Sequence, residues 1–276
     1  MSAIPQPELA APFDAVANRY DETFTSSMIG RAQRSAVWRE LAKTFRSGDH
    51  ILEIGCGTGV DACFLAERNI RVLACDPSSQ MIDVAARRIR QSGLQKLVRP
   101  LVLRAEDIAH LPANESFDGA FSNFGALNCV DDLRGVARAL ATRLKPGATA
   151  VLCWMGPWCM WEMLWYCAQG DRDKAFRRFT PEGISARLAD SAFVQVHYPS
   201  VNSLARAFAP EFRLKSVRGI AVAVPPSYLE PWARQHPRLL QMCEQFDSWF
   251  GDCPGIRSLG DHVLVRLQRE QTADPR

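Results

Sequence analysis

Two periodicities alternate through the first half of this chain. Apolar runs of strand length fall at residues 51–54, 71–76, 96–104, 117–123 and 148–154. Between them, apolar positions recur at three- and four-residue intervals: Val60 to Glu67, then Met81, Val84, Ala85 and Ile89, then Leu133, Val136, Ala137 and Leu140. The strand runs are nearly continuous in Val, Ile, Leu and Ala, as strands covered on both faces require. Strand and helix alternating through five strands imply an open parallel sheet with right-handed crossovers. Ahead of it, Phe13, Val16, Ala17 and Tyr20 predict a short amphipathic helix. Residues 31–45 predict a longer one, with Ala32, Ala36, Val37, Leu41 and Phe45 inward and Arg34, Arg39, Glu40 and Lys43 outward.

Beyond residue 155 the pattern loosens. Gly156-Pro157 suits a helix start, and Trp158, Trp161 and Trp165 then fall on one helical face of a stretch apolar nearly all round. Such a helix is buried or covers a pocket. Residues 172–179 are basic and expected to be exposed, with Arg177 and Arg178 available to an anionic group. Residues 184–198 read as a hairpin ending in His197 and Tyr198. A helix over 201–208, a strand over 212–224 split by Gly219, helices over 228–250 broken at Pro237, and a strand over 262–267 complete the chain. The organisation expected is a helical lid (1–47), a sheet core (48–155), a cap (156–211) and returning strands (212–276) with a helical excursion over 227–260. Residues 1–11 and 269–276 are expected to be loose.

Composition narrows the class. The chain has 276 residues, is 47% hydrophobic and carries a net charge of +3. That is ample apolar content for a core and too little charge to mark a nucleic-acid surface. No run approaches the ~18 apolar residues of a membrane span, and no basic start precedes an apolar run, so no secretory signal is expected. Nine cysteines without a Cys-x-x-Cys pair read as small hydrophobes in a reducing, cytoplasmic setting, with no metal site.

The chemistry concentrates after the first strand, in Glu53-x-Gly55-Cys56-Gly57-Thr58-Gly59. Glycines at alternate positions let the backbone turn sharply and approach a ligand, and the following helix aims its free N–H groups at the turn. Position 60 is Val, against the dinucleotide spacing, and no Lys follows, against the nucleoside-triphosphate loop. An acid at Glu53 suits a cationic ligand better than a pyrophosphate. The turn resembles the first motif of class I S-adenosylmethionine-dependent methyltransferases, in the small-molecule branch typified by ubiquinone, menaquinone and biotin pathways. That resemblance spans about residues 12–155 and the final strands. It implies a Rossmann-like α/β fold: a doubly wound, mostly parallel seven-stranded sheet with an antiparallel last strand, plus the helical and hairpin cap.

The same resemblance assigns roles. S-adenosylmethionine would sit on Glu53, Gly55, Cys56, Gly57 and Gly59. Asp76, ending the second strand, would take the ribose hydroxyls, with Pro77 and Met81 beside it. Glu106, Asp107 and Ile108 would hold adenine, Asp107 being preferred. Arg19 and Tyr20 of the lid would lie near the cofactor, and Asn123 near the transferred methyl.

For the acceptor, the segment after the fourth strand lacks the Asn/Asp-Pro-Pro-aromatic run of exocyclic-amine methylases, and Cys129 lacks the Pro-Cys or Thr-Cys setting of cytosine-C5 enzymes. DNA is therefore not expected as a partner. A small, hydrophobic, aromatic or lipid-like acceptor is expected, against Phe124, Asn128, Trp154, Trp158, Trp161 and Tyr198. Methyl transfer would be a direct SN2 displacement. His197, Tyr20 and Asn123 are the candidate catalytic residues, His197 because its ordinary pKa suits a general base. A carrier-bound, protein or RNA acceptor, a cysteine-using thiol or arsenic methylase, and a non-catalytic binding module remain as alternatives.

Overall fold

The computed structural model describes residues 11–189 and 192–271. Residues 1–10, Asp190 and Ser191 at the expected hairpin tip, and 272–276 lie outside the described residues. Strands β1 (His50–Ile54), β2 (Arg71–Asp76), β3 (Val98–Val102), β4 (Phe117–Ser122) and β5 (Leu144–Trp154) pair in parallel; β8 (Phe212–Ile220) and β9 (His262–Arg269) complete a seven-stranded sheet ordered β3-β2-β1-β4-β5-β9-β8. Strand β9 runs antiparallel to both β5 and β8. The order reverses between β1 and β4, which opens a crevice at their carboxyl ends. Strands β6 (Ile184–Arg187) and β7 (Phe193–Val196) form a separate antiparallel hairpin.

Successive strand residues supply opposite faces. Ile51, Val72, Val151 and Leu264 pack with helices α2 (Met28–Thr44), α3 (Val60–Ala66) and α4 (Ser79–Gln91). Leu52, Leu73, Leu152 and Val265 pack with α5 (Leu133–Arg143) and α8 (Val201–Phe208). Pro100, which interrupts β3 in sequence, is tolerated because β3 is the edge strand. Helices α4 and α5 are capped at their starts: Ser78 Oγ accepts from Met81 N at 3.0 Å, and Asp132 accepts from Gly135 N at 2.8 Å.

Several expectations need correction. Arg34 and Glu40 are buried, not outward, because Asp61 and Arg266 respectively bring opposite charge to them. Helix α6 spans Met160–Ala168 with Cys159 as its cap, so Trp158 precedes it and the three tryptophans do not share a face. Trp158 and Trp165 are exposed, whereas the Trp161 indole donates to Ala223 O at 2.9 Å. Arg178 is buried, bonded to Glu162 at 2.8 Å and to Asp261 at 2.6 Å, and is therefore spent on an internal network. Strand β5 begins ahead of the 148–154 run read from sequence and takes in residues 145–147, where its register against β4 shifts. Strand β8 stops at Ile220 because Ala221 adopts φ +56°. The helical excursion comprises a turn at Ser227–Leu229, α9 (Glu230–Gln235) and α10 (Pro237–Phe250).

Candidate active site

The glycine turn builds the floor. Gly55, Gly57 and Gly59 have φ of +71°, +52° and +76°, a region that L side chains with a Cβ avoid. A Cβ on Gly55 would stand 2.2 Å from the Ala126 Cβ, and one on Gly59 2.9 Å from that of Ala85. Both are packing glycines. A Cβ on Gly57 would meet nothing within 4 Å, so this glycine leaves open space in front of the backbone. From behind, the Gly57 amide donates to Asp76 Oδ2 at 2.8 Å, and Ser78 N donates to Asp76 Oδ1 at 2.9 Å. Burial pushes the Asp76 carboxyl up to about 6, against the pull of those two amides.

In front of the turn lies a cavity of about 440 Å³, a size that suits one nucleoside-like ligand. Ile54, Gly55 and Gly57 form its base. Asp76, Pro77, Met81 and Glu106 line one end, and Asn123, Phe124 and Cys129 the other. Phe13 and Tyr20 cover it. The covering segment is three short turns: a 3-10 turn (Pro12–Ala15), α1 (Ala17–Tyr20) and a π turn (Asp21–Thr25). Two aspartates fasten it. Asp14 accepts from Ser78 Oγ at 2.5 Å, and Asp21 accepts from Thr58 Oγ1 at 2.7 Å and from the Arg88 guanidinium. Arg88 Nε also donates to Thr58 O at 2.8 Å. Burial raises the Tyr20 phenol to about 12, so it stays a neutral hydroxyl.

Behind the cavity wall is a buried polar network. Asp61, in the first turn of α3, accepts from Arg34 at 2.6 Å, from the Trp38 indole at 2.7 Å and from Asn123 Nδ2 at 2.8 Å. The Arg34 guanidinium lies 4.8 Å from the centre of the Phe124 ring. Phe124 itself has φ +46°, an outlying conformation for a bulky residue. Its ring meets Phe24 and His262 edge-on at 5.0 and 5.4 Å. Glu53 faces the same side. Its Oε2 is buried with no hydrogen-bond partner among the described residues, and burial, reinforced by Asp61 and opposed by Arg34, holds its carboxyl well above the usual range.

Of the residues predicted from sequence, Tyr20, Gly55, Gly57, Asp76, Pro77, Met81, Glu106, Asn123 and Phe124 meet at the cavity. Glu53, Cys56 and Gly59 lie within two residues of its base. Others stand elsewhere. Arg19 is exposed. The preferred adenine acid, Asp107, faces His110 at 3.5 Å, while its neighbour Glu106 lines the cavity. Ile108 is core. Asn128 is fully buried and ties Met155 N, Met155 O and His197 O together, which leaves it no free amide for an acceptor. The Trp154 indole donates to Pro199 O. Tyr198 lies against the Arg178 guanidinium at 5.4 Å. His197 pairs with exposed Asp131 at 2.9 Å and is absent from the cavity wall. Trp158 and Trp161 are absent from it too.

Sequence reasoning missed Asp14, Asp21, Thr58 and Arg88. The seven-residue spacing of the two aspartates, two helical turns, was their only signal. It also missed the pairing of Arg34 with Asp61 and the contribution of Val194 from β7. Cys129 does line the cavity, yet burial raises its thiol to about 11, away from a reactive thiolate. All nine cysteines are free. Among the described residues, no helix is long and apolar enough to cross a membrane, and no group of His, Cys, Asp and Glu is placed to hold a metal ion.

Residues 51–147 match the family described as Methyltransferase domain. A demethylmenaquinone methyltransferase of Clavibacter sepedonicus is 33% identical over 149 residues, covering 53% of this chain and 57% of that protein. The chain thus spans a little over half the length of the curated relatives it matches. The structure of an S-adenosylmethionine-dependent methyltransferase from Mesorhizobium loti superposes with a TM-score of 0.56 at 23% identity, over 85% of this chain and 98% of that one. One from Listeria monocytogenes gives 0.58 at 17%, over 86% and 100%. At these identities the structural likenesses speak for the fold.

Proposed function

We propose that this chain, whose residues 51–147 match the Methyltransferase domain family, transfers a methyl group from S-adenosylmethionine to a small, apolar or aromatic acceptor by direct displacement. The observation that carries the reading is the convergence of the Gly57 cradle, Asp76 and Glu106 on one cavity, with the unpartnered carboxylate oxygen of Glu53 just behind it. These residues fit the cofactor. A buried carboxylate without a partner is costly, and a cationic ammonium would satisfy it. Asp76 presents acceptor oxygens to a vicinal diol. Glu106, which lines the same cavity, would accept from an exocyclic amine. The bound cofactor supplies a methyl group already activated on a sulfonium.

The protein's share is then alignment and exclusion of water. Asn123, held by Asp61, and Phe124, held in its unusual conformation between Phe24 and His262, form a rigid wall at the carboxyl edge of β4. Tyr20 closes the cavity from the lid and offers a neutral hydroxyl to the acceptor. The acceptor end is walled by Phe124, Cys129, Val130 and Val194, which favours an apolar or aromatic body. The curated relative named above is a demethylmenaquinone methyltransferase, and an aromatic acceptor of that kind is the substrate class we favour. The test pairs two measurements. Calorimetric titration with S-adenosylmethionine and its demethylated product reads cofactor binding. A labelled-methyl assay over a panel of quinols, phenols, amines and carrier-bound acyl groups reads transfer. Absence of binding at millimolar cofactor overturns the whole reading; binding with transfer confined to amines or carrier-bound acyl groups overturns the acceptor class.

A further inference from the structure

Helix α10 turns its most apolar face to solvent. Leu239, Met242, Phe246, Trp249 and Phe250 are 45, 63, 40, 72 and 42% exposed. Their spacing places all five within one stripe of roughly 100°. The helix is held to the body of the protein by its other side: Leu240 is buried, and Asp247 accepts from Ala223 N at 2.7 Å and Val224 N at 3.2 Å. Five large apolar side chains in line on one helix exceed the scattered surface hydrophobes of a monomer and mark a docking face.

We propose that a second copy of this chain covers this stripe, through antiparallel pairing of α10 with α10 about a two-fold axis. The stripe is self-complementary in that sense. Arg238 opens the helix and makes no ion pair among the described residues, while Asp252, just past its end, is exposed. The two are separated by about 21 Å along a helix, and Gln245 is midway between them in sequence. Antiparallel pairing centred there sets each Arg238 against the partner's Asp252. It also sets each Leu239 beside the partner's Phe250, each Met242 beside the partner's Trp249, and the two Phe246 rings near the axis. Opposed helix dipoles add to the match. Asp252 already meets Arg218 from its own chain, so Arg238 would complete a bridge between two arginines. The borders of the stripe disfavour a lipid surface: beside Arg238 they carry Gln241, Gln245 and Ser248, without the Lys/Arg-rich polar face of an interfacial helix. An isologous interface is also the usual route to a soluble homodimer.

Sedimentation velocity over a concentration series is the test. The full chain should sediment as a dimer. Trp249→Glu and Met242→Glu, which replace exposed side chains, should each give a monomer with an unchanged circular dichroism spectrum. Arg238→Asp should weaken association at least tenfold, whereas Arg238→Lys, which keeps the charge, should retain it. A wild type that stays monomeric at its highest soluble concentration overturns the proposal, as does a dimer that survives both glutamate substitutions. Association unchanged by Arg238→Asp overturns the antiparallel pairing. Pelleting of a monomeric wild type with phosphatidylglycerol vesicles would assign the stripe to a membrane surface instead.

Discussion

Asp21 accepts a hydrogen bond from the Thr58 hydroxyl at 2.7 Å, so the covering segment is tied directly to the turn it covers. The same carboxylate meets Arg88 of α4. Asp21 lines no part of the cavity, and its effect on a ligand must run through lid closure. Asp21→Asn removes the charge and weakens both contacts, at a cost of about 1 kcal/mol. Cofactor affinity should therefore fall about fivefold, mostly through faster dissociation, as stopped-flow fluorescence would resolve. An unchanged dissociation rate would separate the lid from retention.

Asp76→Ala should be more severe. It deletes acceptor oxygens for the ribose and also orphans the Gly57 and Ser78 amides. Hydrogen bonds to a charged group are worth about 1.5–3 kcal/mol, so calorimetry should show a loss of roughly ten- to a hundredfold. Retained affinity would reassign the ribose contact.

The pH dependence of the same residue has a definite sign. Its folded value of about 6 stands above its ordinary 3.8 because it is buried. The native chain holds the extra proton between those values, so this residue's contribution to unliganded stability declines as pH rises from 3.8 to about 6 and is flat above. Cofactor affinity moves the opposite way, since the ionised carboxylate is the better acceptor: it should weaken as pH falls from 7 towards 5. Asp76→Asn should flatten both profiles, measured by thermal melts and by calorimetry.

The Arg34–Asp61 pair is a stability prediction. Both side chains are buried, and Asp61→Ala leaves Arg34 charged without its partner while freeing Trp38 and Asn123. Breaking one side of a buried pair costs about 3–5 kcal/mol. Urea denaturation should show that loss, with the double substitution Arg34→Met, Asp61→Asn losing less than the sum of the two singles. Strict additivity would mean the two residues are not coupled.

His197→Ala should leave turnover nearly unchanged, within about twofold, as for a surface change away from the chemistry. Its imidazole faces Asp131 rather than the cavity. A steady-state assay showing a large drop in kcat would restore it as a candidate base.

The half of the molecule with regular periodicity was legible in advance. Strands such as Ile51–Ile54 and Arg71–Asp76 must be apolar on both faces, and the glycines and Asp76 sit at fixed points on that frame. What was not legible depends on partners far away in sequence. Arg34 looks like a solvated helix residue until Asp61 meets it, and Arg178 looks exposed until Glu162 and Asp261 surround it. The tryptophan helix failed because Gly156-Pro157 did not start it; the three-residue delay to Met160 breaks the assumed face. Residues His197 and Asn128 sit close to the right edge of the sheet, but their hydrogen bonds join the hairpin to the segment after β4, and neither side chain lines the cavity.

Strand β9 lies between β5 and β8 yet begins only at His262, after the cap and the α9–α10 excursion. On the ribosome, the parallel strands β1 to β5 can pair as soon as Trp154 emerges, and the cofactor cavity's base can form with them. The outer edge of β5 must then wait, unpaired, through the synthesis of everything between. An open edge is a template for other chains. The order of strands in this sheet thus sets a window during translation in which the nascent protein is most exposed to misassembly and most in need of a chaperone.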